Sequence, residues 1–104
     1  MSTFRTTTHL SEILEESEKQ PVVIFKYSSK CGSSARLKEK LEKKIADKIL
    51  SSPVYLVTVQ TERVLSNKIA EWFGIKHESP QIFVIGKGKI MYTAHHHAID
   101  TKMI

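Results

Sequence analysis

Cys31 is the one cysteine in 104 residues. No internal disulfide can form around it, and a four-cysteine zinc site is excluded. What a lone thiol can do depends on its surroundings. Here it lies in the small, polar run Ser28-Ser29-Lys30-Cys31-Gly32-Ser33-Ser34, between an apolar stretch and a helical stripe. A cysteine at a helix start meets unpaired backbone N–H groups and the positive end of the helix dipole, both of which favour the thiolate. Such thiols have pKa values of roughly 3.5–7.5, against about 8.5 for a free one. The thiolate is the nucleophile of thiol–disulfide exchange. Lys30 and Arg36 are close in sequence and add positive charge, while Gly32 and Ser33 leave room for an approaching disulfide. The competing reading is a buried cysteine that only packs, and its polar neighbours speak against it.

Ser34 stands three residues after Cys31, where a dithiol oxidoreductase carries its second cysteine. A Cys-x-x-Ser start can attack a mixed disulfide and then needs an external thiol. Ser34 is expected either to donate a hydrogen bond to the thiolate or to cap the helix. His95-His96-His97 is the other chemically suggestive run. Adjacent residues cannot all face one ion, because only i, i+2 or i, i+4 partners share a face. His95 and His97 could pair on a strand without an evident third ligand, so an exposed turn is expected there and no metal. Glu62 and Arg63 are expected at the surface.

The elements that must position Cys31 follow from periodicity. Leu10, Ile13 and Leu14 predict a first helix over about 9–18, with Thr8 or Ser11 as its cap. Val22–Tyr27 reads as a strand buried on both faces. Leu37, Leu41 and Ile45 recur every four residues and predict a helix over about 33–47. A strand follows at 54–59. Leu65, Ile69, Trp72 and Phe73 form the next helical face, with Trp72, Phe73 and Tyr55 expected as core or half-buried residues and Gly74 as a left-handed cap. Gln81–Ile85, the turn Gly86-Lys87-Gly88-Lys89 and Ile90–Ala94 read as a hairpin. A short last helix is expected from about Ala98, starting at His97 or earlier. Pro80 stands where a strand begins. Because only about 5–6% of X–Pro bonds are cis, the residues alone assign no cis bond there. The order α-β-α-β-α-β-β-α implies a four-stranded mixed α/β sheet, flanked by helices on both faces.

The length suits one domain spanning residues 1–104. The first residues hold no apolar run like a signal peptide, and no stretch has the roughly 18 apolar residues of a membrane span. A soluble protein of a reducing cytoplasm is expected, without a membrane partner. The formal charge is +5, from 16 basic and 11 acidic residues. Runs such as Lys38-Glu39-Lys40 and Glu42-Lys43-Lys44 alternate in sign like a solvated helix face, and no aromatic RNA-binding pattern accompanies them, so no nucleic-acid partner is expected.

Three segments resemble the thioredoxin superfamily: the strand Val22–Tyr27, Cys31 at a helix start, and Ser79-Pro80-Gln81 leading into a strand. Phe25-Lys26-Tyr27-Ser28, Lys76-His77-Glu78-Ser79-Pro80-Gln81-Ile82-Phe83 and the stretch from Gly88 are similar to the monothiol bacilliredoxin (YtxJ-like) family, over nearly the whole chain. That resemblance implies a thioredoxin-like fold and an enzyme that removes bacillithiol from S-bacillithiolated proteins. It implies Cys31 as the attacking thiol, Pro80 as a cis-proline facing it, and Ser79 offering its backbone to the bound thiol. Gly32, Ser33 and Ser34 complete the expected thiol-binding residues. No cofactor is expected to be bound. Bacillithiol is the co-substrate, bacillithiolated proteins are the clients, and a monomer is expected. Its carboxylates are expected to meet Lys30, Arg36 or the histidine run. Many members carry Thr-Cys-Pro where this chain has Lys30-Cys31-Gly32. The Cys-Gly-x-Ser form is similar to monothiol glutaredoxins, which keeps an iron–sulfur carrier as one alternative. A non-catalytic interaction module is the other.

Overall fold

The computed structural model describes residues 4–104, apart from the side chains of His97 and Met103. Helix α1 (Leu10–Lys19) leads into strand β1 (Val22–Tyr27), helix α2 (Gly32–Ala46), strand β2 (Val54–Thr58) and helix α3 (Arg63–Phe73). Strands β3 (Gln81–Gly86) and β4 (Lys89–His95) follow, then two 3-10 turns, His96–Ala98 and Thr101–Met103. The sheet order is β2-β1-β3-β4. β1 runs parallel to β2 and antiparallel to β3, and β3 pairs antiparallel with β4. The fold is therefore the expected α/β arrangement.

Alternation along β1 divides the core. Val22 and Ile24 face α1 and α3, packing with Leu10, Ile13, Leu65, Ile69 and Phe83. Val23 and Phe25 face the other way, onto Leu37 and Leu41 of α2. A central strand covered on both sides carries apolar residues at every position, which is why β1 reads as a continuous run rather than an alternating one. Lys26 breaks that run and is nonetheless fully enclosed. The edge strand β4 alternates between exposed and half-buried residues, as a strand with one solvated face should. The opposite edge is covered by Phe4 and Arg5: Arg5 N–H donates to Val54 O at 2.8 Å, and Leu56 N–H donates to Arg5 O at 2.9 Å.

The turns obey backbone chemistry. Lys87 and Gly88 have φ of 51° and 72°, the paired positive values of the two-residue turn that matches strand twist. Gly74 ends α3 at φ 65°, the expected left-handed cap.

Four expectations need correction. The N-cap of α1 is His9, and neither Thr8 nor Ser11 supplies it; the Thr7 hydroxyl oxygen instead accepts from His9 N–H at 3.2 Å. Trp72 is 63% exposed, because α3 needs only Leu65, Ile69 and Phe73 to cover the sheet. Glu62 is half-buried rather than superficial, its Oε1 accepting from Thr58 N–H at 3.1 Å. The last helix is replaced by the two 3-10 turns, since its backbone groups are taken by tertiary partners. Lys44 Nζ donates to Thr101 O at 2.8 Å, and Asp100 N–H donates to the Tyr92 hydroxyl at 3.0 Å.

Candidate active site around Cys31

β1 ends at Tyr27, and the chain must turn through four residues to start α2. Ser28 organises that turn. Its carbonyl accepts from Cys31 N–H at 3.2 Å, and its hydroxyl accepts from Lys30 N–H at 3.3 Å. Gln60, just past β2, clamps the same loop: its Nε2 donates to Ser28 Oγ at 2.7 Å, and its Oε1 accepts from Ser29 N–H at 3.2 Å. Cys31 is thereby held as the N-cap of α2, with extended backbone and a partly exposed side chain.

At this position the sulfur collects donors. Its pKa is lowered from the ordinary thiol value, first by the Ser34 backbone N–H and then by the Ser34 hydroxyl and the corresponding groups of Ser33; partial burial opposes them. Ser34 is itself fully enclosed, and its Oγ accepts from Ser28 N–H at 3.3 Å. One hydroxyl thus ties the loop and faces the sulfur. The N-cap of α2 is Cys31 rather than Ser34, and the Ser34 groups favour the Cys31 thiolate. Gly32, the first helical residue, is exposed.

The other wall comes from the segment before β3. The Ser79–Pro80 peptide bond is cis, which the residues alone gave no reason to assign and the family resemblance implied. Gln81 holds this segment from inside, donating from Nε2 to Lys76 O at 3.1 Å and accepting at Oε1 from Glu78 N–H at 3.3 Å. His96 holds it from outside: its N–H donates to Pro80 O at 3.0 Å, and its Nε2 lies 3.5 Å from Glu78 Oε1.

Between these walls runs an open groove of about 250 Å³, lined by Ser33, Arg36, Lys40, Pro80, His96 and Ile99 among others. The structure therefore brings Ser33, Arg36, Pro80 and His96 onto one groove, which reaches the Cys31 loop through Ser33. Cys31 and Ser34 do not themselves line it, nor do Lys30, Gly32, Ser79 and His95. His95 sits exposed on β4, opposite Gln81, and the side chain of His97 lies outside the described residues. Among the described residues, no three His, Cys, Asp or Glu side chains converge as a metal site would require, and no helix is long and apolar enough to cross a membrane.

Residues 2–104 match the family described as monothiol bacilliredoxin BrxC. The chain belongs to the monothiol bacilliredoxin family. It is also similar to a solved thioredoxin-fold protein described as a candidate oxidoreductase, with 27% identity and a TM-score of 0.81, over 96% of this chain and 88% of that one. Thioredoxin from Fasciola hepatica matches at 20% identity and TM-score 0.71, covering 94% and 88% of the two chains. Thioredoxin from Trypanosoma brucei brucei matches at 13% and 0.68, covering 88% and 76%. The fold of this bacilliredoxin is thus the thioredoxin fold, and its function is that of a monothiol, thioredoxin-like redox protein.

Several residues that shape the bacilliredoxin site carried no signal of their own in the sequence. Gln60 and Lys40 look like ordinary surface polar residues until the fold places one under the Cys31 loop and the other in the groove. Ile99 and Thr101 join the site only because the last segment turns back onto α2.

Proposed function

We propose that this protein is a thiol–disulfide oxidoreductase of the YtxJ-like kind that removes bacillithiol from proteins in the cytoplasm. The observation that carries the reading is the partly exposed Cys31 at the start of α2, its thiolate favoured by the Ser34 and Ser33 donors, two residues before Ser33, which lines a groove with Arg36, Lys40 and His96 on its walls.

The Cys31 thiolate attacks the small-thiol sulfur of a protein mixed disulfide. A new sulfur–sulfur bond forms to Cys31, the old one breaks, and the client leaves as a thiolate that takes a proton from water. No second cysteine lies in the chain to resolve the adduct. A second molecule of the small thiol therefore attacks it, releasing Cys31 and the oxidised small-thiol dimer, or a reductase does the same. The carboxylates of bacillithiol suit a groove lined by the basic side chains of Arg36 and Lys40, and such charge-assisted contacts orient the attacked sulfur. The favoured thiolate also argues against a non-catalytic module, for which an ordinary buried thiol would suffice.

The test is adduct transfer. Protein incubated with a bacillithiolated client should gain the mass of bacillithiol on Cys31 while the client loses it, and Cys31→Ser should leave the client modified. A client that stays modified in the presence of the unaltered protein overturns the reading. Glutathionylated client run in parallel reports which small thiol the groove prefers.

A further inference from the structure

The face of the sheet opposite α2 holds a second basic cluster, which the chemistry at Cys31 does not use. Lys26 is fully enclosed near the end of β1. Its ammonium donates to Ser66 O at 2.9 Å and to His77 Nδ1 at 3.4 Å, with the Phe83 ring centroid 5.8 Å away. Ser66 and His77, with Gln60, Arg63 and Asn67, line a cavity of about 200 Å³ between α3 and the loop before β3. None of the residues lining it is acidic. Among the described residues no ion pair engages Lys26 or Arg63. The nearby carboxylates are committed elsewhere, Glu62 to Thr58 N–H and Glu78 beside His96.

We infer that this cavity is a binding site for a small oxyanion, a carboxylate, sulfate or phosphate group, held by Arg63, His77, Gln60 and Asn67 over the Lys26 ammonium. A buried ammonium without a counter-charge costs free energy that an anion would offset. The donor set also fits. Because Nδ1 of His77 accepts from Lys26, the neutral imidazole carries its proton on Nε2 and is a donor there. Gln60 and Asn67 add amide donors and Arg63 a planar fork suited to two oxygens. The electrostatics agree: His77 is pushed below the ordinary imidazole range, first by burial and then by Lys26, with Arg63 adding to it and Glu78 opposing. The same Gln60 that borders the cavity clamps the Cys31 loop, so occupancy bears on that loop. The inference stands independently of which disulfide Cys31 attacks.

Ring resonances of His77, followed by NMR while sulfate replaces chloride at constant ionic strength, test it. A saturable shift is expected, together with a rise in the His77 pKa toward its ordinary value. Arg63→Gln is expected to weaken sulfate about tenfold, as loss of a charge-assisted hydrogen bond implies, and Lys26→Met is expected to weaken it by removing the positive charge beneath Ser66 and His77. Arg63 is exposed, so its variant keeps the fold even if the Lys26 variant does not. Arg36→Gln, in the other groove, should leave the shift unchanged. N-acetylaspartate amide is the second probe. Saturation by sulfate alone points to a free inorganic ion, and saturation by the amide points to a carboxylate on a larger molecule. Identical His77 titrations in sulfate and chloride and no response to the amide overturn the inference. So does a response whose midpoint is unchanged in Arg63→Gln, or one that vanishes in Arg36→Gln.

Discussion

The Lys26 ammonium and His77 Nδ1 lie 3.4 Å apart, joining the middle strand of the sheet to the loop that carries the cis-proline. The bond requires a proton on Lys26 and none on Nδ1 of His77. Burial lowers the Lys26 pKa to about 8, so this link responds to mildly alkaline pH.

Stability should therefore depend on Lys26 in a defined window. Below about pH 8 the ammonium is charged in both folded and unfolded chains, and the folded state carries the cost of enclosing it. Between about 8 and the unfolded value near 10.4 the folded chain binds fewer protons than the unfolded one, so this group makes stability rise with pH. The contribution is at most about 3 kcal/mol at 1.36 kcal/mol per unit. Urea unfolding from pH 7 to 10.5 is expected to show the unaltered protein gaining on Lys26→Met over that range. A constant difference between the two would mean that Lys26 ionises alike in both states.

Ser34 should set part of the Cys31 reactivity. Thiolate absorbance against pH is expected to give a pKa below that of an ordinary thiol. Ser34→Ala should raise it without restoring the ordinary value, because the backbone N–H of residue 34 remains and is the larger influence. Alkylation at neutral pH should slow in proportion to the lost thiolate. The variant also leaves Ser28 N–H without its Ser34 Oγ acceptor, at a cost of about 1–3 kcal/mol.

Charge in the groove should govern capture more than chemistry. Arg36→Glu is expected to raise KM for a carboxylate-bearing mixed disulfide about tenfold while kcat changes little, the pattern of lost uniform binding. The difference from the unaltered protein should shrink at high salt, since Arg36 is exposed and screened. Equal KM values would place the small thiol outside this groove.

The single tryptophan gives an inexpensive check on α3. With Trp72 63% exposed, its emission should be that of a hydrated indole. Trp72→Gln should change stability by no more than about 0.5 kcal/mol. By contrast Leu41→Ala, in the fully buried layer under α2, is expected to cost about 2–5 kcal/mol in the same unfolding experiment.

Periodicity and punctuation made most of the elements legible. Leu37 and Leu41 mark the α2 stripe, Gly74 its neighbour's stop, and Lys87-Gly88 the hairpin, because each follows from backbone geometry within a few residues. Trp72 misled because helical spacing says which residues share a face, not how wide a stripe the sheet will cover. The last segment misled for a related reason: the Lys44 and Tyr92 bonds that hold it in 3-10 turns come from elements distant in the chain, which neighbour spacing does not reveal.

The amino-acid order by itself determined one sulfur at a strand-to-helix junction, with serines rather than a second sulfur after it, since these are matters of identity and near-neighbour spacing. Tertiary structure alone decided that Pro80, Arg36 and His96 share a groove with Ser33, and that Lys26 lies buried against His77 without a carboxylate. Ser33 and Arg36 are neighbours on one helix, but the other pairings join residues 16 to 63 positions apart, farther than local geometry can steer; only the packing of two helical layers on one sheet brings them together.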